Sequence, residues 1–113
     1  MNAAQGDMAG LVAEENGEVA GFLIARRLAN DLEILNFAVR PGARRFGVGR
    51  SLLQETLAWG AAFQAEKAFL EVRMSNLAAL RFYERNGFEV TGRRPRYYSS
   101  PAEDALVLTA VLA

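Results

Sequence analysis

Arg44–Gly49 reads RRFGVG, and what flanks it decides its meaning. Ahead of it, Leu32–Val39 is apolar at both parities, with Leu32, Ile34 and Ala38 set against Leu35, Phe37 and Val39. That is the pattern of a strand covered on both faces. Pro41-Gly42 stops this strand. Behind the loop, from about Val48 to Gln64, Leu53, Leu57, Gly60 and Ala61 recur at three- and four-residue spacing, with Leu52 and Thr56 beside them, which predicts an amphipathic helix. An Arg-x-x-Gly-x-Gly run between strand and helix suits an anion. Its glycines leave backbone N–H groups accessible, and a helix N-terminus carries roughly +0.5 charge. A pyrophosphate needs several donors at once, and Arg44, Arg45 and Arg50 add formal charge around them. Glycines after a strand also serve plain turns and close helix packing, so the loop alone leaves both readings open.

Two nucleotide motifs are weighed against this unit. A P-loop would need Gly-Lys-Ser/Thr, whereas Gly49 is followed by Arg50-Ser51. A dinucleotide fingerprint would need a third glycine where Leu52 stands, although Glu71 lies about the right distance downstream.

Outward from the loop, Leu11–Glu14 and Glu18–Leu28 flank Asn16-Gly17, a pair that tolerates the positive φ of a type I′ hairpin. Ala68–Arg73 is short, apolar and followed by Ser75-Asn76, which predicts a strand. Ser75 or Asn76 can cap a second helix, Leu77–Arg85, which Asn86-Gly87 ends. Phe88–Arg96 and Ala105–Leu112 are closing strands, separated by the polar stretch Tyr97–Asp104. The chain order is β-β-β-α-β-α-β-β, an α/β (α+β) arrangement with a mixed central sheet, and residues 1–113 are expected to form a single domain.

Composition narrows the chemistry. Thirteen basic and thirteen acidic residues cancel, so no global field draws the chain to nucleic acid or an anionic membrane. The apolar runs are far below a membrane span, and the first ten residues are not an export signal, so a cytoplasmic protein is expected. With no Cys and no His, thiol nucleophiles, His-based triads and the common zinc sites are out. Asp, Glu, Tyr, Ser, Lys67 and backbone dipoles remain, which favours a reaction with no covalent intermediate and no metal.

Together, RRFGVG and the fragments FAVRPGARRFGVGRSLL, FLEVRMSNLAALRFYERNGFEV and GRRPRYY followed by EDALVL resemble the GNAT superfamily of acyl-CoA N-acyltransferases, and within it the bacterial ribosomal-protein alanine N-acetyltransferases. The resemblance runs from about Leu11 to the C-terminus. It implies the GNAT fold, acetyl-CoA as co-substrate, and a protein or peptide N-terminus as acceptor. It places backbone contacts to acetyl-CoA at Phe37, Ala38 and Val39, and pyrophosphate contacts at Arg45, Phe46, Gly47, Val48, Gly49 and Arg50. Asn76 matches a further CoA contact, Glu71 the family's proton acceptor and Tyr83 its proton donor. Members also carry a strand and a helix pair ahead of the hairpin, which this chain is expected to lack. The face so exposed leads to the expectation of a homodimer.

Each residue has a plainer reading beside the implied one. Glu71 can be a surface carboxylate paired with Arg73 or Lys67, Tyr83 a core aromatic beside Phe82, and Asn76 a helix cap. Arg93, Arg94 and Arg96 with Tyr97 and Tyr98 read as an edge-strand charge cluster or a peptide-facing rim rather than an RNA-stacking patch. Two other functions stand beside acetyl transfer to a protein α-amine: a shortened domain that only binds CoA, and acetylation of a small-molecule amine.

Overall fold

A computed structural model describes the backbone of residues 2–5 and 7–112 and the side chains of residues 7–43 and 47–112. The chain divides into two compact units, one running to Ala68 and taking in Leu112, the other spanning Phe69–Val111. Among the described residues no helix is long and apolar enough to cross a membrane.

The first unit is an antiparallel meander, β1 (Asn2–Gln5), β2 (Met8–Glu15), β3 (Glu18–Leu28) and β4 (Asp31–Val39), covered by helix α1 (Val48–Ala62). Asn16 and Gly17, at φ 53° and 79°, make the expected tight turn between β2 and β3. The sequence pattern missed β1. Asn-Ala-Ala-Gln carries no β-branched or aromatic residue, and the segment becomes a strand through backbone pairing with β2, from Asn2 opposite Leu11 to Gln5 opposite Met8.

Strand β4 differs from a doubly covered strand. Ile24 pairs with Asn36 and Ala25 with Ile34, so Leu35 is an extra residue, a β-bulge. Leu32 and Ile34 are buried, while Leu35 is 39% exposed. Beyond the bulge the half-buried positions are Phe37 and Val39. The two apolar parities therefore record one inward face that changes parity at Leu35.

The buried stripe of α1 is Gly49, Leu52, Leu53, Thr56 and Gly60. Leu57 is only half-buried and Ala61 is exposed, which corrects the expected face. Thr56 can sit fully buried because its hydroxyl donates to the Leu52 carbonyl at 2.8 Å. Gly60 belongs to the stripe because a Cβ there would come within 2.9 Å of Leu32 Cδ2. Leu23, Leu32 and Leu53 are fully buried, each contributing roughly 1.5–3 kcal/mol of apolar burial.

Strand β5 (Lys67–Arg73) opens in the first unit, and its residues from Phe69 belong to the second, with helix α2 (Leu77–Arg85), β6 (Glu89–Ser99) and β7 (Ala102–Val111). The second unit has strand order β5-β7-β6. Along β5, Leu70 and Val72 are buried while Phe69, Glu71 and Arg73 are half-buried, the alternation of a strand with one covered face. Gly87, at φ 91°, follows α2 and leads into β6.

The expected loop Tyr97–Asp104 is largely strand. Tyr98 pairs with Glu103 and Ser99 with Ala102, which leaves only Ser100-Pro101 as the turn. Its polar residues and Pro101 suggest a loop. Strand β6 is exposed along most of its length, and such a strand tolerates polar residues, while Pro101 sits in the turn itself. Pro95 falls in a second bulge, where the register jumps between Arg94 opposite Ala105 and Tyr98 opposite Glu103.

Candidate functional site

The first unit contributes an anion-accepting helix start. Arg40 follows β4 and donates its backbone N–H to the Ala20 carbonyl at 2.7 Å, while its guanidinium reaches Glu18 at 2.8 Å and Glu15 at 3.7 Å. Both acids flank the β2–β3 turn, so the chain is tied to the hairpin where it leaves the sheet. A 3-10 turn over Pro41–Phe46 then delivers Gly47 at φ 76° as the residue that starts α1. Among the described residues no side chain caps this N-terminus, and the first turn of α1 carries no acid. Its early N–H groups therefore lack the partners that Ser, Thr or Asp would supply, and the helix dipole adds to their pull on an anion. Val48 is half-buried, Gly49 buried and Arg50 exposed. The side chains of Arg45 and Phe46, both expected to contact pyrophosphate, lie outside the described residues.

Phe37, Ala38 and Val39 form the end of β4, paired with Leu23, Phe22 and Gly21 of β3. Gly21 is a contributor that the sequence reading missed. A Cβ at this position would lie 2.9 Å from the Ala38 carbonyl oxygen, 3.2 Å from Leu52 Cδ1 and 3.3 Å from Val39 Cγ2. The last residues of β4 and the first turns of α1 can approach β3 because this residue has no side chain. A lone glycine inside an apolar strand was the available signal.

The second unit gathers Glu71 with the β6 bulge. The Glu71 carboxylate, 13% exposed, lies 3.7 Å from the Arg94 guanidinium. The same carboxylate, more than any other group, raises the Tyr97 phenol above its ordinary range. Neither Arg73 nor Lys67 is the partner that local spacing suggested. Arg73 instead reaches Glu103 at 3.3 Å, the Pro101 carbonyl at 3.1 Å and the Tyr98 ring at 4.3 Å. Burial, ahead of the Glu71 charge, raises the Tyr98 phenol.

Tyr83 is 8% exposed, with Phe82 and Phe88 edge-on at 5.4 Å each. Burial pushes its hydroxyl well above the ordinary phenol range, so it stays protonated at any physiological pH. The core-aromatic reading of Tyr83 thus describes its packing. Asn76 caps α2, its Oδ1 accepting from the Ala79 N–H at 3.2 Å. The arginines of β6 are largely matched locally, Arg93 to Asp104 at 2.6 Å and Arg94 to Glu71, as an edge-strand cluster requires.

The sequence model of the acetyltransferase (GNAT) family matches residues 2–88. The ribosomal protein bS18 alanine N-acetyltransferase of Escherichia coli is 34% identical over 96 residues, covering 83% of this chain and 65% of its own. An N-alpha-acetyltransferase of Sulfurisphaera tokodaii is 33% identical over 114 residues, covering 89% of this chain and 68% of its own. The chain thus spans about two thirds of the length of these relatives. The crystal structure of the ribosomal-protein-S18-alanine N-acetyltransferase from Escherichia coli superposes with TM-score 0.85 at 31% identity, covering 96% of this chain and 72% of that one. A strand that ends in a close backbone approach, an uncapped helix start behind Gly47 and a match over most of the sequence have one common source: the chain belongs to the GNAT family of acetyltransferases.

Proposed function

We propose that the protein transfers an acetyl group from acetyl-CoA to a primary amine, the α-amine of a protein N-terminus such as that of a ribosomal protein, by direct attack. The observation that carries this reading is the uncapped start of α1 behind Gly47, directly after β4, in a chain of the GNAT family. The family match crosses residue 68, which supports treating residues 1–113 as one N-acetyltransferase domain.

In this reading the N–H groups of Gly47, Val48, Gly49 and Arg50 hold the CoA pyrophosphate, together with Arg45 and Phe46. Phe37, Ala38 and Val39 offer their backbone to the pantetheine arm, and Asn76 adds a further contact. A free α-amine has a pKa near ~7.8, so deprotonating it at pH 7 costs about 1 kcal/mol, a modest demand on Glu71 as proton acceptor. The neutral nitrogen attacks the thioester carbon, and the C–O π electrons move to oxygen. A backbone N–H near Ala38 or Val39 stabilises that oxyanion. Collapse re-forms the carbonyl and breaks the C–S bond; the departing thiolate takes the Tyr83 proton, the proton still on the amide nitrogen leaves to solvent, and the Tyr83 phenolate is reprotonated from solvent. A CoA thiol near ~8.5 is a stronger acid than a buried phenol, so the Tyr83 proton moves together with C–S cleavage rather than ahead of it.

Binding of CoA without acceptor is the direct test. Calorimetry should show CoA binding to the parent and at least tenfold weaker binding to Gly47→Val. A Cβ at Gly47 would meet nothing within 4 Å, so the substitution acts through its φ of 76° and distorts the backbone donors without crowding the core. A β-branched residue at such a φ costs on the order of 1–3 kcal/mol. Equal affinity in a folded Gly47→Val would remove the pyrophosphate assignment.

A further inference from the structure

Two consecutive amides tie the turn between β5 and α2 to β7. Met74 donates its backbone N–H to the Asp104 carbonyl at 3.1 Å, and Ser75 donates its own to Glu103 Oε2 at 2.7 Å. The other carboxylate oxygen, Glu103 Oε1, accepts from the Arg73 guanidinium at 3.3 Å, and the same Arg73 nitrogen reaches the Pro101 carbonyl at 3.1 Å. One acid of β7 thus takes a donor from each side of Met74. Its neighbour Asp104 directs its carboxylate to β6 instead, accepting from Arg93 and from the Arg96 amide.

The turn held in this way ends at Asn76. Its backbone N–H donates to the Arg73 carbonyl at 2.9 Å and its Oδ1 accepts from the Ala79 N–H at 3.2 Å, so Asn76 is joined to β5 on one side and to α2 on the other. With Oδ1 engaged in the cap, what Asn76 can donate to a ligand is its side-chain amide. Met74, Ser75 and Asn76 are all exposed, whereas the Glu103 side chain is only 19% exposed. Hydrogen bonds rather than packing therefore decide where this turn lies. We propose that Glu103 is a positioning residue for CoA binding: its carboxylate holds the β5–α2 turn through Arg73 and Ser75, and so fixes the place from which Asn76 meets CoA. The inference rests on the reading that Asn76 contacts CoA. Both partners of Glu103 are donors, so the role needs an acceptor-only carboxylate; a glutamine of the same size must turn its own N–H groups toward one of them.

Glu103→Gln keeps the volume and breaks one arm of this bridge, so it tests position apart from packing. Calorimetric titration with CoA, well below the melting transition, should give about fivefold weaker binding, the loss of about one net hydrogen bond, while kcat at saturating acetyl-CoA stays within about twofold of the parent. Asn76→Ser retains a capping oxygen for α2 and removes the amide donors. It should weaken CoA binding by itself, and adding Glu103→Gln to it should weaken binding no further. Unchanged CoA affinity in Glu103→Gln while Asn76→Ser is impaired, full additivity of the two substitutions, or a fall in kcat as large as the fall in affinity would each overturn the positioning role. Unchanged affinity in Asn76→Ser would instead overturn the assignment of Asn76 on which it rests.

Discussion

Gly21 shows how a residue without chemistry governs a site. Its missing side chain lets the Ala38 carbonyl and Leu52 come within the space a methyl would take. A Cβ 2.9 Å from a backbone oxygen cannot be accommodated by rotating a side chain, so β4 itself must shift. Gly21→Ala should therefore weaken CoA binding severalfold and lower the melting temperature, the overpacking cost being roughly 1–3 kcal/mol. Gly10→Ala, with nothing within 4 Å of the added methyl, should leave CoA affinity within a factor of two in the same calorimetric titration. Gly47 was legible in the sequence because a loop glycine before a helix signals positive φ. Gly21 was not, because the same letter inside a strand reports a close approach without naming what approaches. Glu71 was legible as a carboxylate on a strand, but its partners were not. Arg94 reaches it from β6 at the edge of the bulge between Arg94 and Tyr98, a feature of pairing that no single residue type encodes.

At the scale of elements, the β6–β7 hairpin is held by two acids whose charged forms do the holding. Hydrogen bonds from Ser75 and then the Arg73 guanidinium keep the Glu103 carboxyl below the ordinary range, and the Arg96 amide and Arg93 do the same for Asp104. In the unfolded chain both acids regain their ordinary affinity for protons. Their contribution is therefore complete at neutral pH and is lost as pH falls through the ordinary carboxylate range toward the lower folded values. Calorimetric melting of the parent should drop as pH goes from about 5 to 3, and Asp104→Asn should melt lower at pH 7 with a shallower acid-side drop. An unchanged slope in that variant would separate Asp104 from the acid response. The same hairpin marks the limit of reading elements from composition. The polar stretch Tyr97–Asp104, with Pro101 inside it, reads as a loop, yet the ladder continues to Ser99 because an edge strand pairs on one side only. In β4 the apolar letters at both parities fitted a doubly covered strand and a bulged one equally well, and only the register at Leu35 separates them.

At the scale of the whole molecule, charge is balanced and spent locally. Thirteen basic and thirteen acidic residues leave no net field, and Arg26, Arg40, Arg73, Arg93 and Arg94 each face a carboxylate within the described structure. Pairs of this kind are screened beyond a Debye length of about 8 Å, so they cannot steer a charged acceptor from a distance. Selection among amines then rests on reactivity at the thioester. At pH 7 an α-amine near ~7.8 loses about 1 kcal/mol to deprotonation and a lysine near ~10.4 over 4 kcal/mol, a difference of a few hundredfold in the neutral fraction. A peptide with a free N-terminal alanine should accordingly be acetylated at least a hundredfold faster than the same peptide with a blocked N-terminus and one internal lysine. Its rate should rise with pH and level off near ~8, whereas the lysine peptide should keep gaining to the end of the range. Initial rates from pH 6 to 9, read by mass spectrometry on intact peptides, decide between them. Equal rates for the two peptides at pH 7 would show that the protein lowers the lysine's cost by its own contacts, and the α-amine would no longer be the preferred acceptor.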